Sequence, residues 1–492
     1  MKIKSSCGLY RGAILAAALL LGVGCLKTVN AQRDFKGEAP AITNVKRERA
    51  ANPVVKHRTR PAGSTRSSQA SEPSQTNAGA NSDSAAANKQ PDVGEEVEKA
   101  LDQGNAERTA DHYAQAEEQY RRALALNAQE ARAYYGLGNV YSDQKRYDDA
   151  AQAYKQAIGI KADYVEAYTA LGDAHYAKQR YADAIESYKK AVQLKPDDPA
   201  AHKKLGDANY VASHYSEALE QYQQFHRLKP DDTSVLYSLA NTYFAQENYA
   251  SAADFYNQYL KINPNEANPH NYLGLAYAAL KRYPEAIEQY KEAIRLKPDF
   301  AEAYYNLGGT YDETERYPEA VEQYQQAVRV KPDFGDAYIA MGVVYGKMKK
   351  IEEAAAQFEK AVQIMPNDEI AHYDLGLAYE FLKRCQDAIA QFKEAIRVKP
   401  DFDYAYRSLG DVYRHQDHYP EAIEQYKLAI RYNPKSDRAY YGLGLTYREM
   451  SDKPNAMEQY KVLQTLNAEL AKDLLHEIET PPFFIRTRYC KQ

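Results

Sequence analysis

The chain of 492 residues has a net charge of −5, and it contains 45 Tyr and 12 Phe but no Trp. The charge is uneven, because residues 1–31 carry +4 and residues 32–90 carry +5, which leaves about −14 on the rest. Nucleic-acid affinity depends mainly on Lys and Arg that neutralise phosphates, so this acidity argues against DNA and RNA as partners.

The first 31 residues have the pattern of an export signal. Basic residues precede an apolar run over 13–26, and a small-residue cleavage site ends at Ala31. We therefore expect a periplasmic or secreted chain that begins at Gln32. The alternative is a lipoprotein anchored at Cys25, although the residues before Cys25 lack the large aliphatic residue usual in bacterial lipoprotein signals. No second apolar run of membrane-spanning length follows, so we expect no transmembrane helix in the mature chain.

Residues 32–96 are rich in Ser, Ala, Asn and Pro and have few large apolar side chains. Such a composition cannot bury enough surface to offset the entropy of ordering, so we predict a disordered tether. Its first half is basic, with a cluster between Lys46 and Arg60. This cluster is either a solvated charge run or a contact to an anionic membrane or wall polymer.

From residue 97 to residue 470 the sequence follows a 34-residue period without insertion or deletion, which gives eleven repeats. Seven positions recur: a large apolar residue at 7, Gly at 8, aromatic residues at 11 and 24, Ala at 20 and 27, and Pro at 32. In the sixth repeat these are Leu273, Gly274, Tyr277, Tyr290, Ala286, Ala293 and Pro298.

Apolar residues within each repeat recur at spacings of three and four, which predicts two short amphipathic helices. The small residues at positions 8 and 20 indicate a close approach of the two paired helices. Pro at position 32 ends the second helix because it lacks an N–H and clashes with the preceding turn.

This pattern resembles the tetratricopeptide repeat (TPR) family, with Tyr where that family usually has Trp. The resemblance implies an all-α fold, a right-handed α-solenoid or superhelix of helix-turn-helix repeats. The array also resembles the repeat region of protein O-GlcNAc transferases. Only about twenty residues follow the repeats, so we expect no catalytic domain.

The two ends of the array depart from the pattern, as the ends of a solenoid must. In the last repeat Leu463 and Ala468 replace the usual Ala and Pro, so we expect the last second helix to run on as a cap through Leu474 to Ile478. We assign residues 471–492 to this capping helix and a tail, and the tail could dock back into the groove.

Candidates for chemistry are few, and we predict no enzyme, no cofactor and no metal. His415 and His418 form an HxxH pair, but a surface turn explains them better than a metal site. Cys385 and Cys490 are the two cysteines of the mature chain. Cys385 stands where other repeats place Tyr, so it is either a small core residue or one half of a bridge to Cys490.

The family resemblance implies that positions 2, 5, 9, 12 and 13 of the first helices line a concave groove. Position 5 holds a tyrosine ladder that could anchor a partner, unless Tyr is simply the default core aromatic of this chain. The ladder is Tyr135, Tyr237, Tyr305, Tyr373 and Tyr441.

The groove is also predicted to change from apolar to basic along its length. Repeats eight and nine place Ile339, Val343, Ile370, Leu377 and Phe381 there, and repeats ten and eleven place Arg407, Arg414, Arg438 and Arg448. The four arginines suggest a site for carboxylates of a partner. Alternatively they pair with acidic residues of the same strip, namely Glu380, Asp411 and Glu449.

These patterns predict a non-catalytic scaffold that binds an extended peptide or partner protein in its groove. We expect it to act as an adaptor in an envelope or secretion assembly. The alternative is glycan or cell-wall binding through the tyrosine ladder.

Overall fold

The computed structural model describes residues 92–480, which contain twenty-three α-helices and no strand. The predicted all-α class and the α-solenoid of paired helices are confirmed. The predicted export signal, the tether up to residue 91, and the tail from Pro481 with Cys490 lie outside the described residues. Those that are described divide into two compact bodies, residues 92–246 and 247–480.

Each repeat consists of an A helix followed by a B helix. The body of residues 92–246 contains α1 (Val93–Thr109), α2 (Tyr113–Leu126), α3 (Ala131–Asp143), α4 (Tyr147–Ile160), α5 (Val165–Ala177), α6 (Tyr181–Leu194), α7 (Pro199–Val211), α8 (Tyr215–Leu228) and α9 (Ser234–Ala245). The odd-numbered members are A helices.

The body of residues 247–480 begins with the B helix of the fifth repeat and ends with the extra helix α23. It contains α10 (Tyr249–Ile262), α11 (Ala267–Ala279), α12 (Tyr283–Leu296), α13 (Ala301–Glu313), α14 (Tyr317–Val330), α15 (Gly335–Lys347), α16 (Ile351–Ile364), α17 (Glu369–Phe381), α18 (Cys385–Val398), α19 (Asp403–His415), α20 (Tyr419–Tyr432), α21 (Asp437–Glu449), α22 (Lys453–Leu466) and α23 (Ala468–Glu479).

The first helix begins four residues earlier than the sequence predicts. Asp92 caps it by accepting a hydrogen bond from the backbone N–H of Gly94 at 3.1 Å, and Val97 is already buried. The predicted tether therefore ends before Val93. An Asp cap is favourable because it satisfies one of the N–H groups that a helix start leaves unpaired.

The turn between A and B helices is the same in all eleven repeats. Position 15 has a positive φ of 58–63° although it is never Gly. In the second repeat this residue is Lys145, and the next N–H, of Arg146, bonds to the carbonyl of Tyr141 at 2.8 Å. This left-handed ending satisfies the last carbonyls of the A helix and reverses the chain within a few residues.

Pro at position 32 marks the end of the B helices, as predicted. In the sixth repeat the last hydrogen bond to a carbonyl of the B helix is donated by the N–H of Lys297 to the oxygen of Ala293 at 2.9 Å. Pro298 is the next residue. The chain then turns, and the next A helix starts at Ala301. The missing N–H of proline is thus placed where no helical hydrogen bond is needed.

The paired helices of one repeat approach most closely at position 8, and this confirms the predicted reason for glycine there. A Cβ built on Gly172 would lie 2.4 Å from the ring of Tyr188, at position 24 of the same repeat. In the first, second, fourth and sixth to tenth repeats the corresponding distance is 2.4–2.9 Å. Each ring therefore occupies the space that any larger residue at position 8 would need.

The C-terminal cap differs from the prediction. The last B helix ends at Leu466, and α23 is a separate helix, started by Asn467, whose side chain accepts from the N–H of Leu470 at 3.2 Å. Asn is a strong helix-starting residue, which is why the two helices do not merge. The new helix buries Leu474 against Leu463 and so covers the end of the stack.

Within residues 92–480, none of the helices combines the length and the apolar character needed to cross a bilayer.

Candidate functional site

Position 9 of the A helices is tied to the aromatic residue at position 24 of the same repeat. Where position 24 is Tyr and position 9 is Asp or Asn, the phenol donates a hydrogen bond of 2.7–2.9 Å. These pairs are Tyr120 with Asn105, Tyr154 with Asn139, Tyr188 with Asp173, Tyr222 with Asp207, and Tyr426 with Asp411.

In repeats eight and nine both partners change together. Position 24 is Phe358 or Phe392, and position 9 is Val343 or Leu377. A buried hydroxyl needs a partner and a buried ring without one does not, which explains why both positions differ in these two repeats. Repeats six, seven and eleven keep Tyr at position 24 although position 9 is Leu275, Gly309 or Leu445, so the pairing is not general. In the seven repeats that show it, the chemistry of position 9, predicted to line the groove, is linked to the core behind it.

Three of the five position 5 tyrosines, Tyr135, Tyr305 and Tyr373, pack between two other aromatic residues. The Tyr305 ring centroid lies 5.6 Å from that of Tyr324 at position 24 and 5.1 Å from that of Phe334 at position 34. Tyr135 has the same two neighbours in Tyr154 and Tyr164, at 5.8 and 5.1 Å. The tyrosine ladder is thus part of the packing between helices.

The exposure of the ladder differs along the chain. Tyr135, Tyr237, Tyr305 and Tyr441 are half-buried, so part of each is accessible. Tyr373 is only 1% exposed, and its hydroxyl lies 3.3 Å from the Ser408 hydroxyl and accepts from Arg407 at 3.2 Å. Tyr373 therefore offers no ring surface to a partner in this conformation.

Position 34 was not singled out in the sequence, yet it decides how position 5 is covered. In nine of the eleven repeats it holds either an aromatic residue, as at Phe334, or an acidic residue, as at Asp368, and in the last two it is Ser436 and Leu470. The Asp368 carboxylate accepts from the N–H groups of Ile370 and Ala371 at 3.0 and 2.8 Å. A Lys at position 31 lies over the aromatic ring in repeats two, six, seven and nine at 4.7–5.3 Å, but Lys195 and Lys229 stand at the same position before Asp198 and Asp232, so this Lys is not a specific signal in the sequence.

The predicted apolar stretch of the groove is mostly core. Ile339, Val343, Ile370 and Leu377 are only 1–8% exposed and belong to one buried cluster that spans repeats eight to ten. Phe381, at position 13, is the exception, with 36% of its surface exposed. Only Phe381 of this set therefore presents a sizeable apolar surface.

Three of the four predicted arginines bind acidic residues of the same chain. Arg407 pairs with Asp411 at 3.3 Å and Arg414 with Glu449 at 2.9 Å, and both arginine side chains are largely buried. Arg448 donates to the backbone carbonyl of Glu477 at 2.9 Å and approaches its carboxylate at 3.2 Å. These three arginines therefore follow the alternative prediction, in which the arginines pair with acidic residues of their own chain.

Arg438 differs from the other three arginines. It is exposed, and its guanidinium has no ion-pair partner among residues 92–480. Its backbone N–H bonds to the side chain of Asp437 at 2.7 Å, which leaves the guanidinium in solvent. Arg438 is therefore the one predicted cation that is available to a carboxylate of another molecule.

Ion pairs between successive A helices follow a spacing of 35 residues, from position 12 of one repeat to position 13 of the next. Examples are Arg108 with Asp143 at 2.7 Å, Asp312 with Lys347 at 2.7 Å, and Arg414 with Glu449 at 2.9 Å. Glu380 and His415 occupy the same two positions at 3.7 Å. Partly buried pairs of this kind fix the register between neighbouring repeats.

In repeats nine to eleven these contacts form a continuous line, here called the charged row. Arg414 Nη2 lies 3.0 Å from His415 Nε2, and the line continues through the pairs already given to the last turn of α23. The charged row consists of Glu380, His415, Arg414, Glu449, Arg448 and Glu477.

Glu380 is the electrostatically unusual member of the charged row. Burial, with the nearby Asp411 carboxylate, raises the pKa of Glu380 to about 8, and Arg407 and Arg414 only partly oppose this effect. Burial and the adjacent Arg414 lower the pKa of His415. At neutral pH both groups are therefore mainly uncharged, and the two arginines balance Asp411 and Glu449.

The histidines have structural contacts. His202, His270 and His372 are buried, and each Nε2 lies 3.0–3.1 Å from the carbonyl of the position 32 proline before it. His418 is exposed beside Tyr413. Within residues 92–480 no group of three or more His, Cys, Asp or Glu is arranged to hold a metal ion.

Paired helices stacked at a constant 34-residue interval define a helical-repeat protein. Tetratricopeptide repeat models match residues 101–165, 172–211, 203–267, 275–314, 310–349, 347–381, 370–402 and 410–451. The chain belongs to the tetratricopeptide repeat family. Solenoids of this class bind other molecules along extended inner surfaces.

Solved structures of other repeat proteins are similar to parts of the chain. MamA is 26% identical, with 33% of this chain and 95% of MamA covered and a TM-score of 0.32. YrrB, described as a TPR protein with an unusual peptide-binding site, is 24% identical, with 38% and 97% covered and a TM-score of 0.35. Yeast Tom70 is 16% identical, with 79% and 95% covered and a TM-score of 0.35. No curated protein matches the chain.

The pairing of positions 9 and 24 is tested by exchanging one pair for the other. Tyr154→Phe removes the donor to Asn139 and should cost about 1 kcal/mol of unfolding free energy. Adding Asn139→Leu copies the Leu377 and Phe392 pair and should recover most of this loss in urea titrations. The reciprocal Phe392→Tyr should cost about 1–3 kcal/mol, because its hydroxyl meets Leu377. Additive single effects in the double variant would contradict the pairing.

The titration of Glu380 predicts a pH-dependent stability. The folded chain keeps the Glu380 proton up to a pKa of about 8, whereas an ordinary Glu loses it near 4.5. Because the folded state holds the proton more tightly, this group makes the chain less stable as pH rises from about 4.5 to 8, with no further change above that. Glu380→Gln should therefore gain Tm relative to the native chain across this window.

The control for this measurement is Glu421→Gln, which removes an exposed carboxylate from α20. Its Tm difference from the native chain should stay nearly constant over the same window. A constant difference for Glu380→Gln as well would show that Glu380 does not retain its proton in the folded chain.

Proposed function

We propose that this chain is an exported, non-catalytic scaffold that binds a partner protein or an extended peptide along its A helices. The adaptor role in an envelope or secretion assembly is part of this proposal. The observation that carries it is the regular succession of helix pairs in both bodies, because stacked repeats expose an extended surface along each body.

The accessible residues of the inner surface indicate how a partner would be held. Phe381 supplies an exposed ring, Arg438 supplies a guanidinium in solvent, and the half-buried tyrosines supply phenol edges. Aromatic residues and Arg are the types that most often dominate binding energy at interfaces. The paired arginines, Arg407, Arg414 and Arg448, hold the shape and charge of this surface in our proposal.

Export rests on the leader pattern of residues 1–31, and it directs the partner search to the cell envelope. Mass spectrometry of the mature N terminus distinguishes the two forms that we consider. A chain that begins at Gln32 is a soluble exported scaffold, and a lipid-modified Cys25 makes it a membrane-tethered adaptor.

The proposal is tested by capture of partners from an envelope extract. The double variant Phe381→Ser with Arg438→Glu should retain at most about a tenth of the captured partner, since it removes an anchor and reverses a charge. Circular dichroism should be unchanged, because both side chains are exposed.

The matched control is Arg431→Glu with Tyr432→Ser, which makes the same kinds of change on exposed residues of the B helix α20. The control should capture as much as the native chain. Equal losses in both variants, or none in either, would contradict binding through the A helices. Sedimentation of the native chain with purified wall polymer, in place of any captured protein, would favour the glycan alternative.

A further inference from the structure

Glu380 and Phe381 are consecutive residues at the end of α17, at positions 12 and 13 of the ninth repeat. Both positions were predicted to line the groove. The Glu380 side chain has 17% of its surface accessible, and Phe381 is 36% exposed. A molecule that lies along the A helices of repeats nine and ten therefore meets a carboxyl group and, next to it in the chain, an aromatic ring.

The Glu380 side chain differs from the carboxylates around it because it has no hydrogen bond within residues 92–480. Asp411 is bound by Arg407 at 3.3 Å, and Glu449 is bound by Arg414 at 2.9 Å. A partly buried carboxylate is stable only when a cation or a hydrogen-bond donor compensates it. Glu380 is therefore able to take an ionic partner from another molecule.

The groups that face Glu380 come mainly from α19. His415 Nδ1 lies 3.7 Å from the carboxyl group, beyond hydrogen-bond distance. The charged side chains that act on Glu380 are Arg407, Asp411 and Arg414. The A helix before it, α15, carries Lys347, whose amine is held by both carboxylate oxygens of Asp312 at 2.7 and 2.9 Å. These cations of the described chain are thus engaged by carboxylates other than Glu380.

The local charges leave room for one more cation. Two arginines, Arg407 and Arg414, face three carboxyl groups, those of Glu380, Asp411 and Glu449. In the free chain a proton meets this imbalance, since burial and the Asp411 carboxylate raise the pKa of Glu380 to about 8. A positive side chain from another molecule would balance the same charge without the proton.

We propose that Glu380 and Phe381 form a site for a basic side chain of the partner, a lysine or an arginine that is flanked by an apolar residue. The cation binds the Glu380 carboxylate, and the apolar neighbour covers the Phe381 ring. The Glu380 proton is released to solvent when the cation binds. This assignment rests on the proposed function, because it names the chemistry of the segment that the same surface holds.

Binding at this site depends on pH, because the cation needs the ionised carboxylate. In the free chain about 1% of Glu380 is ionised at pH 6 and about half at pH 8, so the apparent Kd should be about fiftyfold higher at pH 6. Lys and Arg stay charged across this window. Burial and Arg414 lower the pKa of His415, so this ring gains charge only at the acid end, where it also repels a cation.

The first test selects peptides from a phage-displayed library of random dodecapeptides on the purified full chain at pH 8. The native chain should enrich peptides in which Lys or Arg stands next to a large apolar residue. Glu380→Gln keeps the shape of the side chain without its charge, so it should enrich apolar residues without basic ones.

The outcomes of this selection separate the site from the scaffold function. Peptides selected without a preference for Lys or Arg, or with the same preference on native chain and Glu380→Gln, would overturn the site and leave peptide binding intact. Failure to select any peptide would overturn the site together with the binding of extended peptides in the proposed function.

The second test measures the Kd of one selected peptide, labelled with fluorescein, by fluorescence anisotropy at pH 6, 7 and 8. Glu380→Gln should bind at least tenfold more weakly than the native chain at pH 8 and change little with pH. The exposed carboxylate variant Glu421→Gln should match the native chain at each pH. Replacement of the basic residue of the peptide by norleucine should abolish the pH dependence on the native chain, which does not rely on the folding of any variant. A pH dependence that persists with norleucine or with Glu380→Gln would show that Glu380 does not hold the cation.

Discussion

The contact between the position 24 ring and the position 8 glycine sets the geometry on which the rest of the structure depends. A Cβ at position 8 would lie 2.4–2.9 Å from that ring in nine repeats, so in those repeats the A and B helices can reach their separation only with glycine there, whereas the fifth repeat has Ala240 at this position. The rings are among the most deeply buried side chains of the chain. Because nine repeats use the same contact, their helix pairs are alike, and within each body such pairs stack on one another.

The chemistry of the inner surface follows from this core. In seven repeats the position 24 residue matches position 9: five phenols donate to Asp or Asn there, and the two phenyl rings lie behind Val343 and Leu377. The surface is polar where Tyr426 donates to Asp411 and apolar where Phe392 lies behind Leu377. The charged row adds a second constraint, because its arginines, Arg414 and Arg448, are held by Glu449 and Glu477. In our proposal the groups available to other molecules are a small exposed set, with Phe381 and Arg438 foremost.

Much of the fold was predictable from the sequence because the period is exact. The helix pairs, the close approach at Gly172 and its equivalents, and the ends of the B helices at proline all follow from residue spacing. The cap was only partly predicted, since Asn467 starts a new helix where a continuation was expected. A single local hydrogen bond decided that outcome, and periodicity carries no information about it.

The candidate site was harder to predict, because its contacts join residues of neighbouring repeats. Arg414 and Glu449 are 35 residues apart, and nothing in the local sequence of either shows that they pair. The burial of Tyr373 also required knowledge of Phe402, which packs against it from position 34 at 5.3 Å. The period does contain both signals, since opposite charges at positions 12 and 13 of successive repeats meet, and an aromatic residue at position 34 covers position 5.

The most direct measurement for this account compares two alanine substitutions of helical glycines in the same body of the chain. Gly172→Ala places a methyl group 2.4 Å from the Tyr188 ring and should lower the unfolding free energy in urea by about 1–3 kcal/mol. Gly159→Ala has nothing within 4 Å of the new methyl group and should raise the unfolding free energy by about 0.5–1 kcal/mol, as expected for a helix interior. A similar gain at both glycines would contradict the claim that the ring and glycine contact sets the spacing of the helices.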